Sequence, residues 1–278
     1  MTWHITGNVQ EFQQTAGEFL RSRPVEHTVP LTLVDTLRER GPHFYGPDDP
    51  VFGWWRADGG PVTGAFLQTP PFPLLLTAAP DVPRLAALLA GRPLPGVNAL
   101  ASDAEEFAAA WRRLTGARTA PGRRSRLFRL GELTPPAPHP PGVARVARAG
   151  DRDLLLAWLT AFHQDIGEEQ RDLDRLVDEK LEYGGLTLWE VDGVPVSMAG
   201  ASRPEAGMVR VMAVYTPPGL RGRGYAAAVT AVVSRAALDA GARDVVLFTD
   251  LANPTSNALY QRLGYRPVED RTVVPFQP

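Results

Sequence analysis

Hydrophobic and polar positions alternate on both sides of two Asp-Gly pairs, and this pattern predicts two β-hairpins. The segments around them, 54–65 and 188–199, align without a gap. The matching positions are Trp55, Asp58, Gly59, Pro61, Val62 and Ala65 in the first segment and Trp189, Asp192, Gly193, Pro195, Val196 and Ala199 in the second, with Thr63 opposite Ser197. Any two Asp-Gly hairpins share a turn, but here the outer Trp and Ala match as well. We therefore infer an internal duplication.

Periodicity predicts a series of elements in the second half of the chain. Asp151 has the position of a helix cap, because an apolar helical pattern follows it directly. The full predicted series is a strand at 143–150, helices at 151–165 and 168–185, the hairpin, a β-rich run at 208–216, a helix at 225–240, a strand at 244–252, a helix at 253–264 and the last strands at 265–276. After its own hairpin, the first half has a proline-rich loop near Pro70 and then passes from a strand to a helix over 73–91.

A dense run of prolines divides the chain almost evenly. Residues 133–142 read LTPPAPHPPG, a composition that excludes a helix or a central strand and favours an extended linker. We expect one domain at 1–133, a linker at 134–142 and a second domain at 143–278. Residues 105–116 also resemble 255–265. Each domain is therefore predicted to be a copy of one α/β (mixed α+β) fold, with a mixed, mostly antiparallel sheet flanked by helices.

Composition removes several classes of function. The 278 residues are 44% hydrophobic, contain no cysteine and carry a net charge of -2. Disulfides, thiolate metal sites and a cysteine nucleophile are excluded, and there is no global basic field for nucleic acid. The five histidines, His4, His27, His43, His139 and His163, show no metal-binding spacing, and Lys180 is the single lysine. No apolar run is long enough to span a membrane, so we expect a cytoplasmic protein that binds no membrane and no metal.

A glycine-rich stretch leads into a helix at residues 217–229, which read PPGLRGRGYAAAV. A helix N-terminus exposes unpaired N–H groups and the positive end of the helix dipole, and glycines let an anion approach the backbone. Arg221 and Arg223 add fixed positive charge. The stretch therefore predicts a phosphate cradle, although such a Gly-Arg-Gly segment can also be a simple turn. It is not a dinucleotide fingerprint, which needs a third glycine where Ala227 stands, and the Gly-Lys-Ser/Thr of a triphosphate loop is absent.

The same stretch resembles the cofactor loop of the GCN5-related N-acetyltransferases (GNAT), whose pattern is Gln/Arg-x-x-Gly-x-Gly/Ala. Residues 253–268, NPTSNALYQRLGYRPV, resemble the closing helix of that family, and the predicted order of elements is also similar. The resemblance covers roughly 142–278 and is closest to the FR47-like branch. The paired arrangement is similar to tandem enzymes such as mycothiol synthase, and the size to glycine N-acyltransferases. The first copy has no glycine loop and carries Trp111 in place of the tyrosine, so we expect it to be degenerate.

The resemblance implies a binding site for acetyl-CoA as co-substrate. Backbone groups of Met212, Ala213 and Val214 would contact the pantetheine arm. The pyrophosphate would lie against the loop residues Arg221, Gly222, Arg223, Gly224, Tyr225 and Ala226. Asn253 and Asn257 stand where the family contacts the pantetheine or its phosphate side, although Asn253 also has the position of a helix cap.

The implied reaction is attack by a primary amine of a small molecule, amino acid or peptide on the thioester. Tyr260 stands where the family's general acid protonates the leaving thiolate, and its alternative role is a packed aromatic. Glu190, Asp165 and Glu168 are candidates for the general base, and His163 is a candidate for the acceptor pocket. The alternative function is a non-catalytic acyl-CoA-binding module. We expect a monomer in which the two halves pack as a pseudo-dimer.

Overall fold

A computed structural model describes residues 2–167 and 172–277, which form two compact units. Unit 1 consists of Met1–Leu127, Thr249–Ala252 and Val268–Pro278, and unit 2 of Phe128–Phe248 and Asn253–Pro267. The units are therefore not consecutive along the chain, unlike the expected division at the proline-rich segment. The end of the chain belongs to unit 1 because its last strand completes the sheet of that unit.

The first part of the chain supplies most of unit 1. Its elements are β1 (Thr2–Thr6), α1 (Val9–Ser22), α2 (Thr28–Arg40), β2 (Val51–Arg56), β3 (Val62–Gln68), β4 (Leu74–Thr77), α3 (Val82–Leu89), β5 (Gly96–Leu100), α4 (Ala101–Thr115), β6 (Arg118–Thr119) and β7 (Arg123–Leu130). Neighbouring strands follow the order β1-β2-β3-β4-β5, antiparallel except for the parallel pair β4–β5. The predicted hairpin at 54–65 is formed by β2 and β3.

The second part of the chain repeats this plan. Its elements are β8 (Val143–Val146), α5 (Arg152–Ile166), α6 (Leu173–Glu182), β9 (Leu186–Val191), β10 (Val194–Ala201), β11 (Met208–Tyr215), α7 (Tyr225–Asp239), β12 (Asp244–Asp250), α8 (Pro254–Arg262) and β13 (Tyr265–Gln277). The order in unit 2 is β12-β11-β10-β9-β8, antiparallel except for the parallel pair β11–β12. The prediction of a mixed, mostly antiparallel sheet flanked by helices is confirmed in both units.

Strand β13 differs from its prediction in both form and place. It is one continuous strand instead of several, and its residues Arg271–Pro275 pair antiparallel with Gly96–Leu100 of β5. Val274 and Phe276 pack in the core of unit 1, where the Phe276 ring stacks 5.7 Å from that of Trp111. The core of unit 1 therefore depends on residues from the end of the chain.

The proline-rich segment packs on unit 2 instead of serving as a free spacer. Residues 131–142, all of which are described, form no helix or strand. The Trp189 indole donates a hydrogen bond to the Pro141 carbonyl at 2.9 Å, and the Thr134 amide donates to the Leu263 carbonyl at 3.0 Å. The His139 ring lies 5.4 Å from that of Trp189. These hydrogen bonds hold the segment to unit 2.

Asp151 was predicted to cap α5, but its side chain makes no capping hydrogen bond to that helix. Its carboxylate accepts hydrogen bonds from the Arg145 guanidinium at 2.6 and 2.8 Å and from the Arg148 amide at 2.7 Å. Arg145 also binds Glu190 at 2.7 Å. These contacts connect β8, the start of α5 and β9, and hydrogen bonding to Arg145 lowers the pKa of Asp151.

This pKa shift predicts a pH-dependent contribution to stability. The contribution is present above the unfolded pKa of about 3.9 and is lost as pH falls through the lower folded pKa. Asp151→Asn should therefore lower the free energy of unfolding by on the order of 1 kcal/mol near neutral pH, with the difference vanishing toward about pH 2. Thermal unfolding across this range measures it, and the exposed Asp48→Asn is the control. A difference that does not change with pH would contradict the assignment to Arg145.

Candidate functional site

A gap opens in the sheet of unit 2 between β11 and β12. Their parallel pairing joins Met208–Val211 with residues 244–247 and ends there in the part of the chain that the structure describes. On the other side of β11 the register with β10 shifts, since Met198 pairs with Tyr215 but Gly200 with Met212. Two steps along β10 thus face three along β11, which is a β-bulge. The bulge and the gap meet at the three positions predicted to contact a ligand through their backbone.

The bulge has a backbone conformation that few residues adopt. Ala213 has a φ of 50°, in the left-handed region that disfavours a side chain. Such conformations persist only where the surrounding structure fixes them, and they are concentrated at functional sites. Ser197 holds the end of this strand, because its hydroxyl donates to the Tyr215 carbonyl at 2.9 Å and lies 2.8 Å from the Thr216 hydroxyl. Sequence reasoning missed this anchor, although the hydroxyl shared with Thr63 in the repeat was its signal.

The glycine loop leads into α7 and leaves the start of that helix open. Gly222 and Gly224 have φ values of 78° and 85°, which side chains rarely adopt. Gly224 occupies the N-cap position, and no side chain in the described part of the chain caps the first turn of α7. Tyr225 is buried in the core beneath this turn, and Ala226 follows it in the same turn. The first N–H groups of a helix have no intrahelical partner, so they can bind an anion here.

The two arginines of the loop make different contacts. Arg221 donates through Nε to the Thr216 carbonyl at 2.9 Å and through Nη2 to the carboxylate of Asp165 on α5. Arg223 donates through Nη2 to the Gly219 carbonyl at 3.3 Å. The charge of Arg221 is therefore balanced within the protein, which the sequence did not predict.

Helix α8 carries the predicted asparagines at its start. The Asn253 carbonyl of the side chain accepts a hydrogen bond from the Ser256 amide at 3.0 Å, so the capping role left open by the sequence is observed. The Asn257 side-chain amide donates to the Asn253 backbone carbonyl at 2.7 Å. Both asparagines thus fix the start of α8. Their contact with a ligand stays a prediction.

Tyr260 lies on the same helix and is almost completely buried, with 8% of its surface exposed. Its ring packs edge-on against Tyr265 at 6.1 Å, and the Tyr265 hydroxyl lies 2.7 Å from that of Ser234. Burial raises the pKa of Tyr260, with a smaller contribution from Tyr265. The phenol therefore keeps its proton throughout the neutral range and can act as a hydrogen-bond donor.

The candidates for a general base are largely engaged elsewhere. Glu190 accepts from Arg145 at 2.8 Å, and Asp165 is bound by Arg221. Glu168 lies outside the described residues. His163 packs edge-on against Phe162, with ring centroids 5.3 Å apart. Each of these two carboxylates is already hydrogen-bonded to a guanidinium, so the geometry favours neither Glu190 nor Asp165 in that role.

Metal-binding clusters and membrane-spanning helices are both absent from the described residues. No group of three or more His, Cys, Asp or Glu side chains there could hold a metal ion. No helix among these residues combines the length and the apolar character that crossing a membrane requires.

The segment around this site is similar to a known protein family. Residues 152–265, from α5 to the start of β13, match the model of the acetyltransferase (GNAT) family. Comparison with curated protein sequences gave no match.

Solved structures resemble the chain over nearly its whole length. A Drosophila protein aligns with a TM-score of 0.70 and 13% identity, covering 99% of this chain and 98% of its own. A GCN5-related N-acetyltransferase from Sphaerobacter thermophilus aligns with a TM-score of 0.63 and 18% identity, covering 99% and 95%. A tandem GNAT protein from the clavulanic acid biosynthesis pathway aligns with a TM-score of 0.55 and 15% identity, covering 99% and 98%. The chain therefore has the fold of GNAT proteins, and its residues 152–265 are similar to the acetyltransferase (GNAT) family model.

Proposed function

We propose that unit 2 is an N-acyltransferase that moves an acetyl group from acetyl-CoA to a primary amine of a small molecule, amino acid or peptide. The observation that carries this proposal is the meeting of two features in one unit: the uncapped start of α7 behind two left-handed glycines, and the gap beside the bulge of β11. The first suits a pyrophosphate, and the second suits the amide groups of a pantetheine arm. We also propose that unit 2 is related to the FR47-like branch of the GNAT family.

The reaction needs little from side chains beyond positioning. The amine nitrogen forms a bond to the thioester carbonyl carbon, the carbon–sulfur bond breaks, and the sulfur leaves with the electron pair. Tyr260 donates a hydrogen bond to the leaving sulfur, since burial keeps its phenol protonated. With Glu190 and Asp165 bound to arginines, water takes the proton released by the amine.

Unit 1 is proposed to be a degenerate copy that binds no acyl-CoA. The start of α3, which corresponds to that of α7, is closed by the carboxylate of Asp81, which accepts from the Arg84 amide at 3.3 Å. A carboxylate at this position repels a phosphate. Trp111, in the place of Tyr260, stacks 5.9 Å from Phe107 in the core.

A non-catalytic acyl-CoA-binding protein is the second candidate, favoured by the burial of Tyr260 and the engaged carboxylates. Both candidates predict binding of acetyl-CoA, but only the first predicts release of free thiol in the presence of an amine. A panel of amines and amino acids assayed for thiol separates them.

The lack of cysteine fits a cytoplasmic location.

Gly224→Ala tests the phosphate cradle. A side chain is strained at a φ of 85° and shifts the loop amides, so acetyl-CoA binding measured by calorimetry should weaken by about tenfold or more, or about 1.4 kcal/mol. Gly241→Ala is the matched control, since Gly241 follows the other end of α7 with a φ of 93° and open space around it. Equal losses in the two variants would mean that backbone strain, and not the cradle, determines affinity.

Tyr260→Phe tests the hydrogen bond that Tyr260 is proposed to donate to the leaving sulfur. We expect kcat and kcat/KM to fall together by about 10²-fold, with acetyl-CoA affinity nearly unchanged, because the contact forms in the transition state. Tyr265→Phe is the matched control, because it also removes a buried phenol but one that is bound to Ser234. It should lower stability and spare turnover. A loss of only about twofold in Tyr260→Phe would make Tyr260 a packing residue.

Native mass spectrometry tests the number of sites. The open start of α7 and the closed start of α3 predict one acetyl-CoA per chain at saturation, and the same spectrum tests the expected monomer. Gly224→Ala should show clearly lower occupancy at the lowest concentration that saturates the wild type, in line with its weaker affinity. Two bound molecules on the wild-type chain would contradict the proposal for unit 1.

A further inference from the structure

Unit 1 contains a counterpart of the gap in unit 2. Because the hairpins β2–β3 and β9–β10 correspond, β4 and β5 correspond to β11 and β12. The parallel pairing of β4 with β5 joins Leu74 to Val97 and Leu75 to Asn98. The next residue of β4 is Leu76, just as Met212 follows the last pair in unit 2. Leu76 therefore stands where unit 2 has the first residue of its proposed pantetheine site.

The Arg271 guanidinium occupies this counterpart position. Its Nη2 donates to the Leu76 carbonyl at 2.7 Å and to the Asn98 carbonyl at 3.3 Å, and its Nε donates to the Asn98 side-chain oxygen at 3.3 Å. Its Nη1 pairs with Glu269 at 3.1 Å. The side chain reaches this place because Arg271 on β13 pairs with Leu100 at the end of β5.

Arg271 is deeply buried, with 6% of its side chain exposed. Desolvation lowers its pKa, but an arginine remains charged in a protein. Glu269 supplies the counter-charge, and burial raises the pKa of this carboxyl. Removing one partner of a buried, hydrogen-bonded ion pair strongly destabilises a protein, because the other charge is left buried without compensation. The occupant is therefore held firmly.

In unit 2, an arginine on the strand next to β12 makes a different contact. Arg129 on β7, the strand next to β12, binds Asp244 at 2.6 Å and is half-exposed. Asp244 forms the first β11–β12 pair, opposite Met208, so this contact lies at the far end of the pairing from the gap. Among the described residues, Arg271 of unit 1 thus reaches the carbonyl just past the last parallel pair, whereas Arg129 of unit 2 does not.

We infer that Arg271 is an internal occupant of the ligand gap of unit 1, and that it determines which unit takes the acyl-CoA. It binds the carbonyl of β4 that a pantetheine amide would otherwise meet. The inference rests on the proposed function, since that function assigns the gap of unit 2 to the pantetheine arm. Arg271 thus excludes one chemical class of ligand, an amide-bearing thiol chain, from the gap of unit 1.

Pantetheine, which lacks the pyrophosphate, is the probe for this gap. Unit 2 is first saturated with acetyl-CoA, so that further binding reports on unit 1, and acetyl-CoA affinity is measured separately. Arg271→Ala should lower Tm, and millimolar pantetheine or methylguanidinium should restore at least half of the loss. Native mass spectra should then show one pantetheine beside one acetyl-CoA. Arg126→Ala is the matched control, since it removes a guanidinium bound to Asp270 at 2.7 Å and should show no rescue.

The wild-type protein provides a measurement that does not depend on the variant folding. The Nε–H signal of Arg271 in a ¹⁵N spectrum, assigned by its loss in Arg271→Lys, should exchange slowly and stay unchanged on addition of pantetheine. If pantetheine shifts this signal, the inference is overturned. It is also overturned if the wild-type chain binds pantetheine while unit 2 is saturated with acetyl-CoA. A folded Arg271→Ala that neither ligand stabilises would overturn it as well. Failure of the wild type to bind acetyl-CoA would instead count against the proposed function.

Discussion

The short parallel pairing between β11 and β12 is the constraint on which the site depends. Four residue pairs hold the strands together, and beyond Val211 they separate while β11 bulges away from the register of β10. Backbone groups in the middle of a sheet are normally committed to their neighbours, so a sheet offers a ligand its edge strands only. Ending one ladder early creates binding groups inside the sheet. The loop and α7 follow directly from the strand that separates, which places the proposed anion site next to the gap.

The elements of unit 2 were predictable because their signals are local. Asp192 and Gly193 have φ values of 51° and 76°, as the Asp-Gly pair indicated, and α7 begins at Tyr225 as its glycine loop indicated. Helices α1 and α2, by contrast, were not predicted. The N-cap Asn8 of α1, whose side chain accepts from the amides of Gln10 and Glu11, was the signal that was available.

What the sequence could not provide are contacts between residues far apart in the chain. The pairing of Arg271 with Leu100 spans most of the sequence, and nothing in the local pattern of β13 indicates it. The Asp165–Arg221 pair and the Arg145–Glu190 pair are of the same kind, and they changed the assignment of the candidate bases. Sequence therefore predicts the backbone conformation of a site more reliably than it predicts which carboxylates are free to act as bases.

The last strand of the chain supplies both part of the core of unit 1 and the inferred occupant of its gap. Val274, Phe276 and Arg271 all lie in β13, so the core of unit 1 and the occupant of its gap come from the same strand. A fragment of residues 1–133, the expected first domain, would lack that strand and would expose β5 as an edge. The buried carbonyls of Leu76 and Asn98 would also lose their donor, which costs about 1–3 kcal/mol for each unsatisfied group. The proposed closure of the gap in unit 1 and the stability of that unit thus depend on the same strand, so a sequence change that reopened the gap would also weaken the fold around it.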